Sequence, residues 1–142
     1  GCPASGDRCG PGSGTVARVL DGDTIELTTG EKIRYLMIDT PEVSGNLECY
    51  GEEAKQLNTE LVAGKDVKMT YDVECTDRFD RLLAYVSVED REINSLMVER
   101  GYACVLHIPP NGDERKAEFD SLESLARQAD KGLWGACETT PC

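Results

Sequence analysis

Residues 15–38 read TVARVLDGDTIELTTGEKIRYLMI and contain three short segments rich in β-branched side chains. Runs of this kind are typical of strands, and the breaks between them, Asp21-Gly22 and Gly30-Glu31, favour tight turns. The pattern therefore predicts a three-stranded meander. Its strands are expected at residues 15–20, 24–28 and 32–38.

Three later segments repeat apolar residues at helical spacing. The first is Gly51–Val62, followed by Gly64 where a helix would stop, and the second ends at Gly101. The third ends before Gly132. Their apolar positions are Ala54, Leu57 and Leu61 in the first, Ile93, Leu96 and Met97 in the second, and Phe119, Leu122, Leu125, Ala126 and Ala129 in the third.

Two more strands are expected between the first and second helices. Residues 66–72 alternate Val67, Met69 and Tyr71 with polar neighbours, whereas Leu82–Val88 is more continuously apolar. Five short strands with a helix after the third suit a small closed or partly closed barrel. The sequence thus predicts an α+β, mainly β, fold: a five-stranded OB-type β-barrel with three α-helices.

The length and charge of the chain limit its organisation and its partners. Its 142 residues, 39% of them hydrophobic, suffice for one core. We expect residues 1–14 to be a flexible tether or a disulfide-tied arm, 15–137 to form the domain and 138–142 to be a tail. The net charge of -12 argues against binding DNA through a broad basic face, but is compatible with a hydrolase that meets a polyanion at one local site.

Seven cysteines are scattered along the chain, and His107 is its single histidine, which argues against a structural zinc site. Disulfides in an oxidising compartment explain this usage, so we expect an extracytoplasmic protein that is secreted, periplasmic or lipid-anchored. Seven is odd, which leaves one thiol over. The start Gly1-Cys2 resembles a processed bacterial lipoprotein and suggests membrane attachment through a lipidated Cys2; alternatively, Cys2 pairs with Cys9 or Cys142.

Two acidic turns follow the first and third predicted strands. Residues 21–24 read DGDT, and residues 39–42 read DTPE. Each alone is common turn chemistry. Together they supply four carboxylates, with Arg34 five residues before Asp39. Hard oxygen ligands of this kind favour calcium, with magnesium and manganese as alternatives.

These motifs, with TDRFDRLLAY at residues 76–85, resemble the staphylococcal nuclease family, also called thermonucleases. The resemblance runs from about Val16 to Trp134 and includes VLDGDT at 19–24, IDTPE at 38–42, Tyr50-Gly51 and GLW at 132–134. It implies a calcium-dependent nuclease that hydrolyses phosphodiester bonds of DNA and RNA with little sequence preference. Water would attack, 3'-phosphates would be left, and the protein would act as a monomer.

The resemblance implies three catalytic residues. Arg34 and Arg81 would contact the reacting phosphate, and Glu42 would position or deprotonate the attacking water. Arginine suits this task because its planar fork makes two parallel hydrogen bonds to phosphate oxygens and stays charged. An ion pair between Glu42 and Arg81, which would order the loop after Glu42, is the structural alternative.

The metal site is implied in the same way. Asp23 and Asp39 would bind the cation through carboxylate oxygens, Thr40 through its backbone carbonyl and Asp21 through water. A cation beside the arginines would offset the charge that a phosphodiester gathers in its transition state.

The chain departs from the family pattern around the expected substrate site. It has Phe79-Asp80 where relatives carry Tyr-Gly, so no hydroxyl is available there and Arg78 becomes the main contact to a terminal phosphate. Asp80 places a negative charge beside Arg81, which lowers affinity for a polyanion or merely faces solvent. His107 occurs where relatives carry tyrosines, and it is a candidate to stack on a base.

The fold that the resemblance implies also suggests which cysteines lie close enough to form disulfides. The end of the second helix should lie near the segment after Trp134, and a second bridge would join the loops after Glu42 and before Arg81. The expected pairs are Cys104 with Cys137, Cys49 with Cys75 and, by remainder, Cys9 with Cys142. Because six cysteines permit about 15 pairings, the connectivity stays open.

Two other functions compete with the nuclease. One is a catalytically silent module that holds nucleic acid or a protein partner on the barrel. The other is a structural protein stabilised by calcium. The presence of Arg34, Glu42 and Arg81 together with the metal carboxylates favours the enzyme, because a silent copy would be free to lose them.

Overall fold

The computed structural model describes residues 9–142. The strands are β1 (Ser13–Asp21), β2 (Thr24–Leu27), β3 (Lys32–Tyr35), β4 (Ile38–Asp39), β5 (Asp66–Thr76), β6 (Leu82–Val88), β7 (Arg91–Glu92) and β8 (Cys104–Val105). The helices are α1 (Gly51–Val62), α2 (Ile93–Glu99), α3 (Lys116–Gln128) and the single turn α4 (Leu133–Ala136). Within residues 9–142, no helix combines the length and apolar character needed to cross a bilayer.

Five strands close into a barrel. β2 pairs antiparallel with β1 and β3, and β5 pairs antiparallel with β1 and β6. The closing contact is the parallel pairing of β3 with β6, where Ile33 lies opposite Leu82 and Tyr35 opposite Ala84. α1 packs on β1, and α2 packs between β6 and α3. The predicted fold, a five-stranded OB-type barrel with three helices, is therefore confirmed.

The core is filled by the apolar faces that the sequence pattern predicts. Val67, Met69 and Tyr71 of β5 point into the barrel, while the residues between them face solvent. α1 buries Ala54, Asn58 and Val62, which are four residues apart and so share one face of the helix. A polar residue, Asn58, thus lies in the middle of an otherwise apolar contact.

The predicted third strand, residues 32–38, is interrupted in the structure. β3 ends at Tyr35 because Met37 adopts a left-handed backbone conformation, with φ 71°. The chain resumes as β4, which pairs antiparallel with β8 so that Asp39 lies opposite Cys104. The break carries Asp39 out of the barrel wall, and no local pattern in the sequence predicts it.

Residues 9–14 form a tied arm rather than a flexible tether. The Gly12 carbonyl accepts a hydrogen bond from the Met69 backbone N–H at 2.9 Å, and the Pro11 carbonyl accepts one from the Tyr71 hydroxyl at 2.7 Å. Ser13 already belongs to β1. Of the two alternatives expected for residues 1–14, residues 9–14 match the disulfide-tied arm, which Cys9 joins to Cys75. Residues 1–8 lie outside the described part of the chain.

The structure joins the cysteines differently from the expected pairs. The bridges are Cys9–Cys75, Cys49–Cys137 and Cys104–Cys142. The expected set was wrong because it joined the arm to the end of the chain, through a bridge between Cys9 and Cys142. In the structure, the arm meets the end of β5, and the last residue returns to β8. The prediction that Cys2 is lipidated concerns a residue outside the described range.

Candidate active site

Asp23 connects the two acidic turns. Its carboxylate accepts hydrogen bonds from the Thr24 hydroxyl at 3.0 Å and from the Thr40 backbone N–H at 3.0 Å. The second bond spans 17 residues and draws the β1–β2 turn to the segment after β4. Asp23 is buried, so these bonds and its ion pair with Arg34 replace the water that it loses.

The close packing of the β1–β2 turn requires the glycine of the DGDT motif. A Cβ at Gly22 would lie 2.8 Å from side-chain carbons of both Ala54 and Thr40. Asn58 of α1 holds the same turn, because its amide N–H donates to the Asp21 carbonyl at 2.9 Å and its amide oxygen accepts from the Tyr35 hydroxyl at 2.7 Å. Helix α1 therefore fixes the position of the acidic turn.

Arg34 lies between the carboxylates. Its Nη1 donates to the backbone carbonyls of Tyr35 at 2.6 Å and Ile38 at 2.8 Å. Its Nη2 lies 3.2 Å from an oxygen of Asp23 and 3.6 Å from an oxygen of Asp39. The two carboxylates that the resemblance assigns to a metal thus converge on one nitrogen atom. The break at Met37 makes this possible, since it turns the Ile38 carbonyl and Asp39 back towards β3.

The ionisation of the cluster reflects crowding of negative charge. Burial raises the pKa of Asp21 to about 7, and the hydrogen bond and charge of Asp23 add to this effect. Burial also opposes ionisation of Asp23, but the charge of Arg34 together with the hydrogen bonds to Asp21, Thr40 and Thr24 outweighs it and holds the pKa of Asp23 below its usual value. Burial and the charge of Asp23 raise the pKa of Asp39. The site therefore carries more negative charge than Arg34 alone neutralises.

Glu42 is exposed at the start of the loop that leads to α1. Its backbone N–H donates to the Glu48 carboxylate at 2.9 Å, and its carbonyl accepts from the Glu48 backbone N–H at 3.0 Å. The negative charges of Glu42 and Glu48 both raise the pKa of Asp39, which places them near that carboxylate. Glu42 therefore stands at the open side of the acidic cluster.

Arg81 and Arg34 line the same cleft, whose volume is about 490 Å³. Arg81 lies in the loop between β5 and β6, and its ion pair is with Asp77 at 2.7 Å rather than with Glu42 as the structural alternative supposed. Arg78 and Phe79 of the same loop also line the cleft. The two arginines that the resemblance assigns to phosphate thus face one opening.

The lining of the cleft differs from the expectation that His107 faces the substrate. Leu106 and Ile108 line the cleft together with Leu36 and Leu83, and both Leu106 and Ile108 are exposed. His107 does not line it, and its Nε2 instead lies 2.7 Å from the Asp113 carboxylate. Alternation along this extended segment places His107 on the side away from the cleft. The structure therefore brings two aliphatic residues, not the histidine, to the lining of the cleft.

A cation would suit the acidic cluster, although no ready-made cage is present. Among residues 9–142, no three acidic, histidine or cysteine side chains are grouped as a metal site. What fits is the donor chemistry: Asp23 and Asp39 converge on one point and are surplus in charge, and Asp39 is open to solvent. Two carboxylates with backbone and water oxygens match the loose coordination shell of calcium.

Sequence reasoning missed two residues that shape the site. Asn58 was hidden in the apolar face of α1, where its spacing of four from Ala54 was the signal of a buried amide. Asp77 was included in the family motif, but it was given no role. Asp77 lies four residues before Arg81 in a loop, and a loop has no regular period from which their contact could be predicted.

Comparisons with known proteins agree with this arrangement. The family model described as "Staphylococcal nuclease homologue" matches residues 32–136. An "Uncharacterized endonuclease" of Escherichia coli O157:H7 is 37% identical over 137 residues, covering 94% of this chain and 84% of that protein. A "Thermonuclease" of Staphylococcus intermedius is 31% identical over 125 residues, covering 84% of this chain and 74% of that protein.

Relatives from Bacillus subtilis are longer than this chain. The "SPbeta prophage-derived endonuclease YokF" is 32% identical over 127 residues, which cover 84% of this chain and 43% of that protein. The "Endonuclease YncB" is 36% identical over 124 residues, which cover 76% of this chain and 59% of that protein. The chain thus spans about half the length of these two relatives.

Proposed function

Since the chain belongs to the staphylococcal nuclease homologue family, we propose that it is a metal-dependent nuclease that hydrolyses phosphodiester bonds of DNA and RNA. Little sequence preference is expected, because the cleft offers phosphate contacts and an apolar wall rather than a pattern of donors and acceptors that would read base edges. The names of the relatives, an endonuclease and a thermonuclease among them, support the same chemistry.

One observation carries the proposal: Asp23 and Asp39 meet at Arg34, and Arg34 shares a cleft with Arg81. A phosphodiester repels an anionic nucleophile unless positive charge lies close by. This cluster joins an excess of carboxylate, which attracts a cation, to two guanidinium groups, which attract phosphate. The net charge of -12 is therefore no obstacle, because a bound cation and the two arginines would reverse the field where the bond is cut.

The proposed cation is calcium, held by the carboxylates of Asp23 and Asp39 and the backbone carbonyl of Thr40, with Asp21 acting through water. Magnesium and manganese are the alternatives to be tested. When bound, the cation would supply positive charge against the scissile phosphate. The excess negative charge that raises the pKa of Asp39 supports its place here.

The chain's own side chains would carry the remaining steps. Glu42, exposed at the edge of the acidic cluster, would position a water molecule and accept its proton as the water attacks phosphorus. Arg34 and Arg81 would hold the phosphate oxygens while charge gathers on them. The bond between phosphorus and the 5'-oxygen would break, and the 5'-oxygen would take a proton from solvent and leave as a hydroxyl, so that a 3'-phosphate would remain. Arg78, which lines the same cleft, would contact a terminal phosphate.

The three bridges support a location outside the cytoplasm. Disulfides persist in oxidising compartments and are rare where glutathione keeps thiols reduced. We therefore propose that the protein acts in a secreted, periplasmic or surface-anchored form, as a monomer.

The test is digestion of single-stranded and double-stranded DNA and of RNA with calcium, magnesium, manganese or chelator. Arg81→Ala should lower kcat/KM by about 10²-fold to 10³-fold, because one charge-stabilising donor at the transition state is lost. Arg18→Ala is the matched control, since Arg18 is exposed on β1 and pairs with Glu26. Products should carry 3'-phosphates.

Three outcomes would contradict the proposal in different ways. The absence of cleavage with every metal would favour the silent binding module. Calcium that raises the melting temperature of a protein without activity would favour the structural role. Equal losses in Arg81→Ala and Arg18→Ala would remove Arg81 from the reaction.

A further inference from the structure

We infer that Asp77 and Phe79 are positioning residues that hold the Arg81 guanidinium in place before substrate binds. The inference rests on the proposed function, because it concerns how Arg81 would meet phosphate. Arg81 lies in the loop between β5 and β6, so the barrel ladder does not orient its side chain. Contacts within the loop must therefore orient the Arg81 side chain.

The Asp77 carboxylate organises the backbone of this loop. Its Oδ1 accepts hydrogen bonds from the backbone N–H groups of Phe79 at 2.9 Å and Arg81 at 3.0 Å. The Asp77 backbone N–H donates to the Arg81 carbonyl at 3.0 Å, and the Asp80 N–H donates to the Asp77 carbonyl at 3.1 Å. The loop is therefore closed on itself, with the Asp77 carboxylate at its centre.

The second oxygen of the same carboxylate orients the arginine. Arg81 Nε donates to Asp77 Oδ2 at 2.7 Å. Because this bond uses Nε, the edge formed by the two terminal nitrogens is not consumed by it and can still make a fork to phosphate. Burial alone would raise the pKa of Asp77, but its hydrogen bonds from Arg81 and Phe79 prevail and keep the pKa below its usual value. The acceptor thus stays ionised at neutral pH.

Phe79 contacts two guanidinium groups. The ring is 63% exposed, yet the Arg78 guanidinium carbon lies 4.7 Å from its centroid and that of Arg81 lies 5.3 Å away. A cation over an aromatic face is attracted by the ring quadrupole. The phenyl ring therefore compensates for its missing hydroxyl in a different way: it supports both arginines instead of binding phosphate.

The physical benefit is preorganisation. A free arginine side chain loses rotamer entropy when it is immobilised. An arginine already held by a carboxylate and a ring loses less on meeting the transition state, so more of its interaction lowers the barrier. The charge of Asp77 weakens the attraction of Arg81 for phosphate in the ground state. A positioning role of Asp77 should therefore affect kcat rather than KM.

The experiment is a double-mutant cycle of Asp77→Asn with Arg81→Ala, assayed with calcium on a short DNA substrate. Asp77→Asn alone should lower kcat by about tenfold or more with little change in KM, because small misplacements of a reacting group reduce rate steeply. In the Arg81→Ala background the same change should be nearly neutral, since there is no guanidinium left to place. An equal loss of kcat in both backgrounds, or no loss in the first, would overturn the inference.

Asp80→Asn is the matched control for charge. It removes one negative charge, as Asp77→Asn does, but one residue before Arg81. Asparagine tolerates the positive φ of 64° at this position. Its kcat should stay within about twofold of the parent, because it removes no acceptor from Arg81. A fall equal to that of Asp77→Asn would overturn the inference by showing that charge alone explains the effect.

Phe79 is tested by Phe79→Tyr and Phe79→Leu. The tyrosine keeps the ring face and should preserve kcat, whereas leucine should lower it by a few-fold, about the worth of an exposed cation–π contact. Equal kcat values in the two variants would remove Phe79 from the positioning role.

A measurement without turnover separates this inference from the proposed function. The Arg81 Nε proton, observed by nitrogen-15 NMR, should exchange slowly with water in the parent and in Asp80→Asn. In Asp77→Asn it should exchange rapidly. A parent without nuclease activity but with this protected signal would refute only the proposed function. An active parent whose signal is unprotected would refute only the positioning by Asp77.

Discussion

The two halves of the candidate site are held in different ways. The acidic half, around Asp23 and Asp39, is fixed by contacts between distant parts of the chain, such as the bond from the Thr40 N–H to Asp23. The arginine half, residues 77–81, is fixed by bonds within one loop and by Cys9–Cys75, which lies two residues before Asp77. The candidate site thus joins a part set by global packing to a part set locally.

The same contrast appears in the ionisation of the carboxylates. At Asp21 and Asp39 of the acidic half burial prevails, and it raises the pKa of Asp21 to about 7. In the loop hydrogen bonds prevail, and they lower the pKa of Asp77. Burial without enough donors disfavours charge, whereas several N–H donors favour it. The acidic half, whose carboxylates outnumber Arg34, would gain from a cation. The Asp77 carboxylate in the loop is already paired with Arg81.

The largest expected effect is in the acidic half. Asp23→Ala should lower the free energy of unfolding by about 3 to 5 kcal/mol, because it leaves the half-buried Arg34 without its shorter ion pair. Nuclease activity should also be lost. Urea unfolding measures the first effect, and Asp120→Ala on the exposed face of α3 is the control, with less than about 1 kcal/mol expected. Similar losses in the two variants would contradict the view that packing fixes this half.

The next effect concerns the bridge at the base of the loop. Cys9→Ser with Cys75→Ser should destabilise the protein by about 2 to 4 kcal/mol, since a bridge over a long segment constrains the unfolded chain. In the folded protein, faster amide exchange should appear in residues 9–14 and 76–81 but not in residues 21–24. Hydrogen exchange by mass spectrometry measures this, and equal changes in both regions would show that the two halves are not independently held.

The smallest effect is a pH dependence. The folded pKa of Asp77 lies below its unfolded value, so its stabilisation is present above about pH 4 and disappears as the pH falls through the folded pKa. The difference in unfolding free energy between the parent and Asp77→Asn should therefore shrink from pH 6 to pH 2. Denaturant titrations across this range measure it. A difference that stays constant with pH would mean that the carboxylate's charge does not stabilise the loop.

Much of the fold was predictable because it depends on local patterns. Alternation over Val67, Met69 and Tyr71 predicted β5, and the spacing of Ala54, Leu57 and Leu61 predicted α1. The acidic turns and the family motif predicted which side chains would meet near Arg34, and the structure brings Asp23 and Asp39 to it. His107 was proposed from its position in a motif, and the structure turns it to Asp113 instead.

The sequence by itself determined which segments become strands and helices, because the period of apolar residues reports the burial of each element. Only the tertiary structure decided the partners of the six cysteines within residues 9–142, the break at Met37 that returns Asp39 to Arg34, and the place of Leu106 and Ile108 in the cleft. These depend on where distant segments return to one another, and that is set by the closure of the barrel, which no local period encodes.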